Sequence, residues 1–133
     1  MIRLVYFSQS IPTTTSGDLK RILASARRNN KESGVTGVLV TGGHIYLQIL
    51  EGLTPAVLSL YLKILQDKRH RNVEILRVTP VKQRIFDAWS MACVEAAPLD
   101  IEQIIQFKAK YLALGEPQEF MDVMQGFMNV LRE

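Results

Sequence analysis

Cysteine is nearly absent: Cys93 stands alone, so no intrachain disulfide and no multi-cysteine zinc site is available. Two histidines, His44 and His70, give metal ligation equally little to work with, and no metal is expected. Long apolar runs are missing too. Charged or polar residues break every hydrophobic stretch well short of the roughly 18 residues that a spanning helix needs, so no membrane association is expected. The start, Met1-Ile2-Arg3-Leu4-Val5-Tyr6-Phe7, lacks a charged segment followed by a long apolar one; no signal peptide is expected, which places the chain in the cytoplasm. No Ser/His/Asp arrangement, Walker loop or GxGxxG is found, and Gly37, Gly42, Gly43 and Gly52 have no phosphate-loop spacing. The chain is therefore not expected to be an enzyme.

What is there suits one soluble folded domain. With 133 residues, the chain is long enough for a real core and too short for two ordinary domains. Its 47% hydrophobic and 22% charged residues exclude a disordered chain. Sixteen Lys plus Arg against thirteen Asp plus Glu give a formal charge of +3 and a pI near 9.2. That mild excess suits nucleic acid or a phosphorylated ligand and compels neither.

Residues 2–7 are apolar or β-branched apart from Arg3 and read as a strand; residues 8–17, rich in Ser, Thr and Pro, read as a loop. Leu19, Ile22, Leu23 and Ala26 then recur at i, i+3, i+4 and i+7, an amphipathic helix that Ser16 or Asp18 caps and Gly34 ends. Residues 35–41 and 44–50 flank Gly42-Gly43, a connection that favours a tight hairpin. Thr54-Pro55 reads as N-cap and first residue of a second helix. Its apolar residues Val57, Leu58, Leu60, Tyr61, Leu62, Ile64 and Leu65 spread around more than one face, which predicts cover on more than one side. Residues 73–81 and 88–94 supply two more strands.

The order βαββαββ predicts an α+β fold, a ferredoxin-like sandwich with a mixed five-stranded sheet. Its other sheet face needs a cover, and residues 101–131 carry two apolar stripes broken at Gly115 and Pro117. Two C-terminal helices over that face are the expectation, dividing the chain into a domain of residues 1–95 and an extension of residues 96–133.

Several residues resist a purely structural explanation. Gln48 sits in an otherwise apolar strand, where an unpartnered amide costs about 1 to 3 kcal/mol. Tyr6 shares a strand face with Ile2 and Leu4; a core tyrosine with a satisfied hydroxyl is the simpler explanation. Asn29-Asn30 ends a basic helix, as Asn often does, yet two side-chain amides also suit a polar ring edge. Asp67-Lys68-Arg69-His70-Arg71 is a solvated charge run at a helix C-terminus or an anion site. Trp89, Met91 and Cys93 alternate toward one face, consistent with sheet packing.

Taken together, Leu4-Val5-Tyr6-Phe7-Ser8, Asn29-Asn30 followed by Gly34-Val35-Thr36-Gly37-Val38-Leu39, Leu47-Gln48-Ile49-Leu50-Glu51-Gly52, Asp67-Lys68-Arg69-His70 and Phe86-Asp87-Ala88-Trp89-Ser90-Met91 resemble a BLUF domain, the flavin-binding blue-light sensor family. The resemblance covers roughly residues 1–95, with all blocks in order, and the remaining 38 residues fit the tail of the short, stand-alone members.

The resemblance implies FAD, less often another flavin, between the two helices. It implies Tyr6 and Gln48 as the photoactive pair beside the flavin N5 and C4 carbonyl. Asn30 is implied to bond the ring edge with Asn29 nearby, Ile22 to contact the flavin, and Lys63, Asp67, Arg69 and His70 to line the ring and ribityl-phosphate side. Ser8, Trp89 and Met91 are implied as the relay. Two departures stand out: Lys63 takes a position where some members carry arginine, and Ala26 one where others carry serine.

A basic ferredoxin-like RNA-binding module is the runner-up, but residues 35–41 lack stacking aromatics, and Tyr6 and Phe7 alone do not make the motif. An acylphosphatase-like hydrolase lacks the glycine-rich cradle. Signal output is expected through contact with a protein partner, response-regulator-like as in short family members, from a homo-oligomer whose C-terminal helices carry Met121 and Met128 off the main stripe, with core filling the equal alternative for these methionines.

Overall fold

The structure, a computed structural model, describes residues 1–12, 14–87 and 90–95. Their elements run β1 (Ile2–Ser10), α1 (Ser16–Ser33), β2 (Thr36–Gly42), β3 (Ile45–Gly52), α2 (Thr54–Gln66), β4 (His70–Pro80) and β5 (Ala92–Glu95). The sheet order is β4-β1-β3-β2-β5, antiparallel throughout except for the parallel β2–β5 pair. Each crossover helix joins two parallel strands with a third between them, which is the ferredoxin-like arrangement. The expected fold class is what the structure has; the expected C-terminal helices lie outside the described residues.

Both sheet faces are apolar. Ile2, Leu4, Leu39 and Leu50 pack with Leu23 of α1 and Val57 and Tyr61 of α2. On the opposite face Val5, Phe7, Val38, Val40, Leu47 and Ile49 are buried as well. Gly37 permits the closest strand approach, since a Cβ there would run into the Ile49 carbonyl oxygen.

Several boundaries move, each for a visible reason. β1 continues through Ser8, Gln9 and Ser10 because Gln9 pairs with Ile45 on one side and Arg71 on the other, and ladder bonds on both sides override the polar composition. The α1 N-cap is Thr15, neither Ser16 nor Asp18: its side chain accepts from the Asp18 N–H while the Asp18 carboxylate accepts from the Thr15 N–H, a complete capping box. Gly34 ends α1 as expected, at φ 72°. The hairpin turn is Gly43-His44, because Gly42 still pairs with Ile45; Gly43 takes φ 58°.

Thr54 is the first helical residue of α2 and Leu53, extended at φ −60°, ψ 139°, is the cap. Among the described residues, the double-sided cover expected for α2 is not found. Val57 and Tyr61 are buried, but Leu58, Leu62 and Leu65 are 43%, 61% and 46% exposed, so α2 buries one stripe only. β4 begins at His70, where Ser10 pairs with it, and β5 begins at Ala92. Ser90 and Met91 stay out of the ladder because their carbonyls bind α1: Asn30 Nδ2 donates to Ser90 O at 2.7 Å and Arg27 Nε to Met91 O at 2.9 Å.

Candidate functional site

A cavity opens between α1 and α2 over the centre of the sheet. Strand alternation puts Tyr6 of β1 and Gln48 of β3 on the helix-facing side, and the antiparallel register sets them directly opposite each other. The Tyr6 hydroxyl donates to Gln48 Oε1, and Gln48 Nε2 reaches Met91 Sδ at 3.4 Å. The awkward amide is thus satisfied by a phenol and a thioether, both weak or switchable partners.

The Tyr6 ring is held edge-on by Tyr61 at 5.6 Å and by His70 at 6.4 Å between centroids. Burial first, then the negative charge that Tyr61 and Asp67 carry when ionised, pushes the Tyr6 phenol well above the ordinary range. Its proton stays in place throughout the physiological range.

Ile22 and Asn29 from α1, and Lys63, Asp67, Arg69 and His70 from the end of α2 and the start of β4, line the same cavity. Asp67 takes the Arg69 guanidinium, with Nε at 2.9 Å from Oδ1 and 3.0 Å from Oδ2; that bond holds the Asp67 carboxyl below its usual range. His70 is spoken for on both sides. Its Nε2 lies 2.7 Å from the Ile64 carbonyl, which only accepts, so Nε2 carries a proton; in the neutral ring Nδ1 then accepts from the Ser8 hydroxyl at 2.9 Å. Ser8, a candidate relay residue, thus bonds His70.

Asn30 is not among the lining residues. It lies beneath them, 1% exposed, with Nδ2 on Ser90 O and Oδ1 without a partner, the one such buried atom among the described residues. Trp89 lies outside the described residues. Sequence reasoning missed Tyr46, Ser25, Leu39, Leu60 and Ile64 in the lining. Tyr46 was findable, since it shares the Gln48 strand face; burial raises its phenol pKa. Ser25 adds a hydroxyl to the lining next to Ala26.

Among the described residues no His/Cys/Asp/Glu group suits a metal, and no helix is long and apolar enough to cross a membrane. Fold and site together define a ferredoxin-like ligand-binding domain whose cavity floor is a buried phenol–amide pair. A family model described as BLUF, sensors of blue-light using FAD, matches residues 1–92, and the chain belongs to that family.

The chain is 35% identical over 89 residues to photoactivated adenylate cyclase subunit beta of Euglena gracilis, a match of 66% of this chain and 10% of the relative. It thus spans about a tenth of that curated relative's length. Among solved structures, BlsA in its photo-activated state superposes with a TM-score of 0.78 at 29% identity, covering 94% of this chain and 92% of that one. BlrB, a BLUF protein in its dark state, gives 0.75 at 27% identity, with 84% and 89% covered.

The residues present fit a flavin. Ile22, Ala26, Leu39, Leu60 and Ile64 offer apolar surface to a planar ring, Asn29 and Lys63 add polar groups to the lining, and Asn30 Oδ1, just outside that lining, is a buried acceptor still without a donor.

Proposed function

We propose that this chain is a blue-light receptor that holds FAD between α1 and α2 and turns excitation into an altered hydrogen-bond pattern around Gln48. The observation that carries the reading is the Tyr6 to Gln48 hydrogen bond on the cavity floor, continued to Met91 Sδ. When bound, the flavin supplies the blue-light absorption and, once excited, a strong oxidant.

The chain's own residues do the rest. Loss of an electron from the buried Tyr6 phenol makes its proton strongly acidic, and the existing bond aims that proton at Gln48 Oε1. When the phenol regains electron and proton, the Gln48 amide is left rotated or tautomerised, with donor and acceptor exchanged. A Gln48 that no longer donates to Met91 Sδ releases the segment whose carbonyls bind Asn30 and Arg27 of α1. Asn30 Oδ1 takes the ring-edge donor with Asn29 beside it. Lys63, Asp67, Arg69 and His70 hold the ring and phosphate side against the Ile22 wall, and Ser8, Trp89 and Met91 pass the change on.

In this reading the chain turns over no substrate, and the cyclase activity named for its relatives stays with those proteins. Residues 1–95 form the sensory unit; residues 96–133 hand the signal to a protein partner, response-regulator-like, from a cytoplasmic homo-oligomer. Burial leaves Tyr6 and Phe7 each 4% exposed, which deprives the RNA-binding alternative of its stacking face. Reconstitution with FAD, with FMN as the comparison, tests the proposal. A yellow protein that shifts reversibly to the red under blue light is expected; a colourless protein or irreversible bleaching overturns it.

A further inference from the structure

Among the described residues, Glu51 carries a carboxylate with no exposure at all, on the sheet face opposite the cavity and three residues beyond Gln48 on β3. Arg3, its partner across β1, donates from Nε at 2.9 Å. Two consecutive backbone N–H groups of the β4–β5 connection complete its shell: Ile85 N lies 2.9 Å and 3.0 Å from the two carboxylate oxygens, and Phe86 N lies 2.7 Å from Oε1. Arg84, just before them, donates to Thr36 Oγ1 at 3.0 Å and to the Glu51 carbonyl at 3.4 Å. A buried charge demands such partners, and its bonds are stronger than those of a neutral acceptor, so residues 84–86 are fastened to β3.

A few residues later the same connection is fastened to the cavity side, through Ser90 O to Asn30, Met91 O to Arg27 and Met91 Sδ to Gln48. Gln48 and Glu51, on opposite faces of one strand, therefore hold the two ends of one short segment. Neither the cavity nor the photoactive pair requires Glu51.

We infer that Glu51 is a positioning residue: it sets where Met91 stands against Gln48, and so how long the altered hydrogen-bond pattern lasts in the dark. The inference rests on the proposed role of the Tyr6 and Gln48 pair. When Gln48 gives up Met91 Sδ, the anchor at Ile85 and Phe86 limits how far the segment departs, and return to the starting bond is quick. With the anchor loosened, the segment departs further and return slows.

Two variants test this. Glu51→Gln keeps shape and an acceptor oxygen but loses the charge; Arg84→Ala, at a half-exposed residue, removes the neighbouring bonds to Thr36 and the Glu51 carbonyl and so loosens residues 84–86 without emptying the buried shell, and it carries the test if the first variant fails to fold. Both are expected to keep flavin content and the dark spectrum, to recover from the lit state about threefold more slowly or worse, and to exchange the Ile85 and Phe86 amides faster even in the flavin-free chain. Faster exchange with unchanged recovery makes Glu51 a fold anchor only and overturns the positioning role. Unchanged exchange overturns the clamp itself. A wild-type chain without any light-induced shift overturns instead the reading of the site on which the inference rests.

Discussion

Tyr6 and Gln48 are direct cross-strand partners, and the phenol of one donates to the amide oxygen of the other on the floor of a cavity between two helices. The pair needs no loop to bring it together. β1 and β3 are central, both flanked by other strands, so its geometry is as rigid as the sheet itself. A rigid donor aimed at a switchable amide is suited to changing state without large motion.

Removing either polar group while keeping approximate volume separates binding from switching. Tyr6→Phe and Gln48→Leu are expected to retain flavin and lose the red-shifted state. Light-minus-dark absorption on the flavin-loaded variants checks this; a full red shift in either would contradict the assigned relay.

Asn30 carries a buried carbonyl oxygen without a partner, a loss that the proposed ring-edge bond would make good. Asn30→Ala is expected to weaken flavin binding about tenfold, roughly 1.4 kcal/mol. A fluorescence titration in the dark measures it, with the circular dichroism spectrum of the flavin-free chain as the control for folding.

The raised Tyr6 pKa fixes the sign of the alkaline response. The unfolded phenol ionises near pH 10 while the buried one does not, so its contribution to stability is fully present below pH 10 and is lost as pH rises further. Urea denaturation of the flavin-free chain above pH 10 should show stability falling with pH. Tyr6→Phe should flatten that fall by up to about 1.4 kcal/mol per pH unit, the part carried by one proton. Tyr46 and Tyr61, also raised by burial, account for a remaining slope.

Gly37 faces the Ile49 carbonyl too closely for any side chain. Gly37→Ala forces β2 away from β3 and is expected to cost about 2 kcal/mol or more in a chemical denaturation curve. The same displacement reaches Leu39, the register partner of Gln48, so the variant should also shorten or distort the light response.

Hydrophobic periodicity made βαββαββ legible, and Gly34 announced the end of α1 because only a left-handed residue closes that turn. Ser8, Gln9 and Ser10 were not legible as strand, since their conformation comes from partners on both sides and not from their own composition. Leu58, Leu62 and Leu65 predicted a cover for α2 that the described residues do not supply, because apolar content alone does not say which face is wet. Gln48 stood out as a polar residue in an apolar strand, whereas Tyr46, two residues earlier on the same face, offered no such contrast because a tyrosine suits an apolar strand. The partners of Glu51 were not legible, because the Ile85 and Phe86 groups that fill its shell are backbone N–H groups, which no pattern of side chains displays.

The most direct test of the account is a light-minus-dark infrared difference spectrum of the FAD-loaded protein in the region of the flavin C4 carbonyl. An amide that rotates or tautomerises to donate there strengthens its hydrogen bond, so the stretch should move to lower frequency on illumination, return in the dark, and be absent from Gln48→Leu. A red-shifted visible band with an unmoved carbonyl stretch, or the same infrared shift in Gln48→Leu, would contradict a switch built on Tyr6 and Gln48.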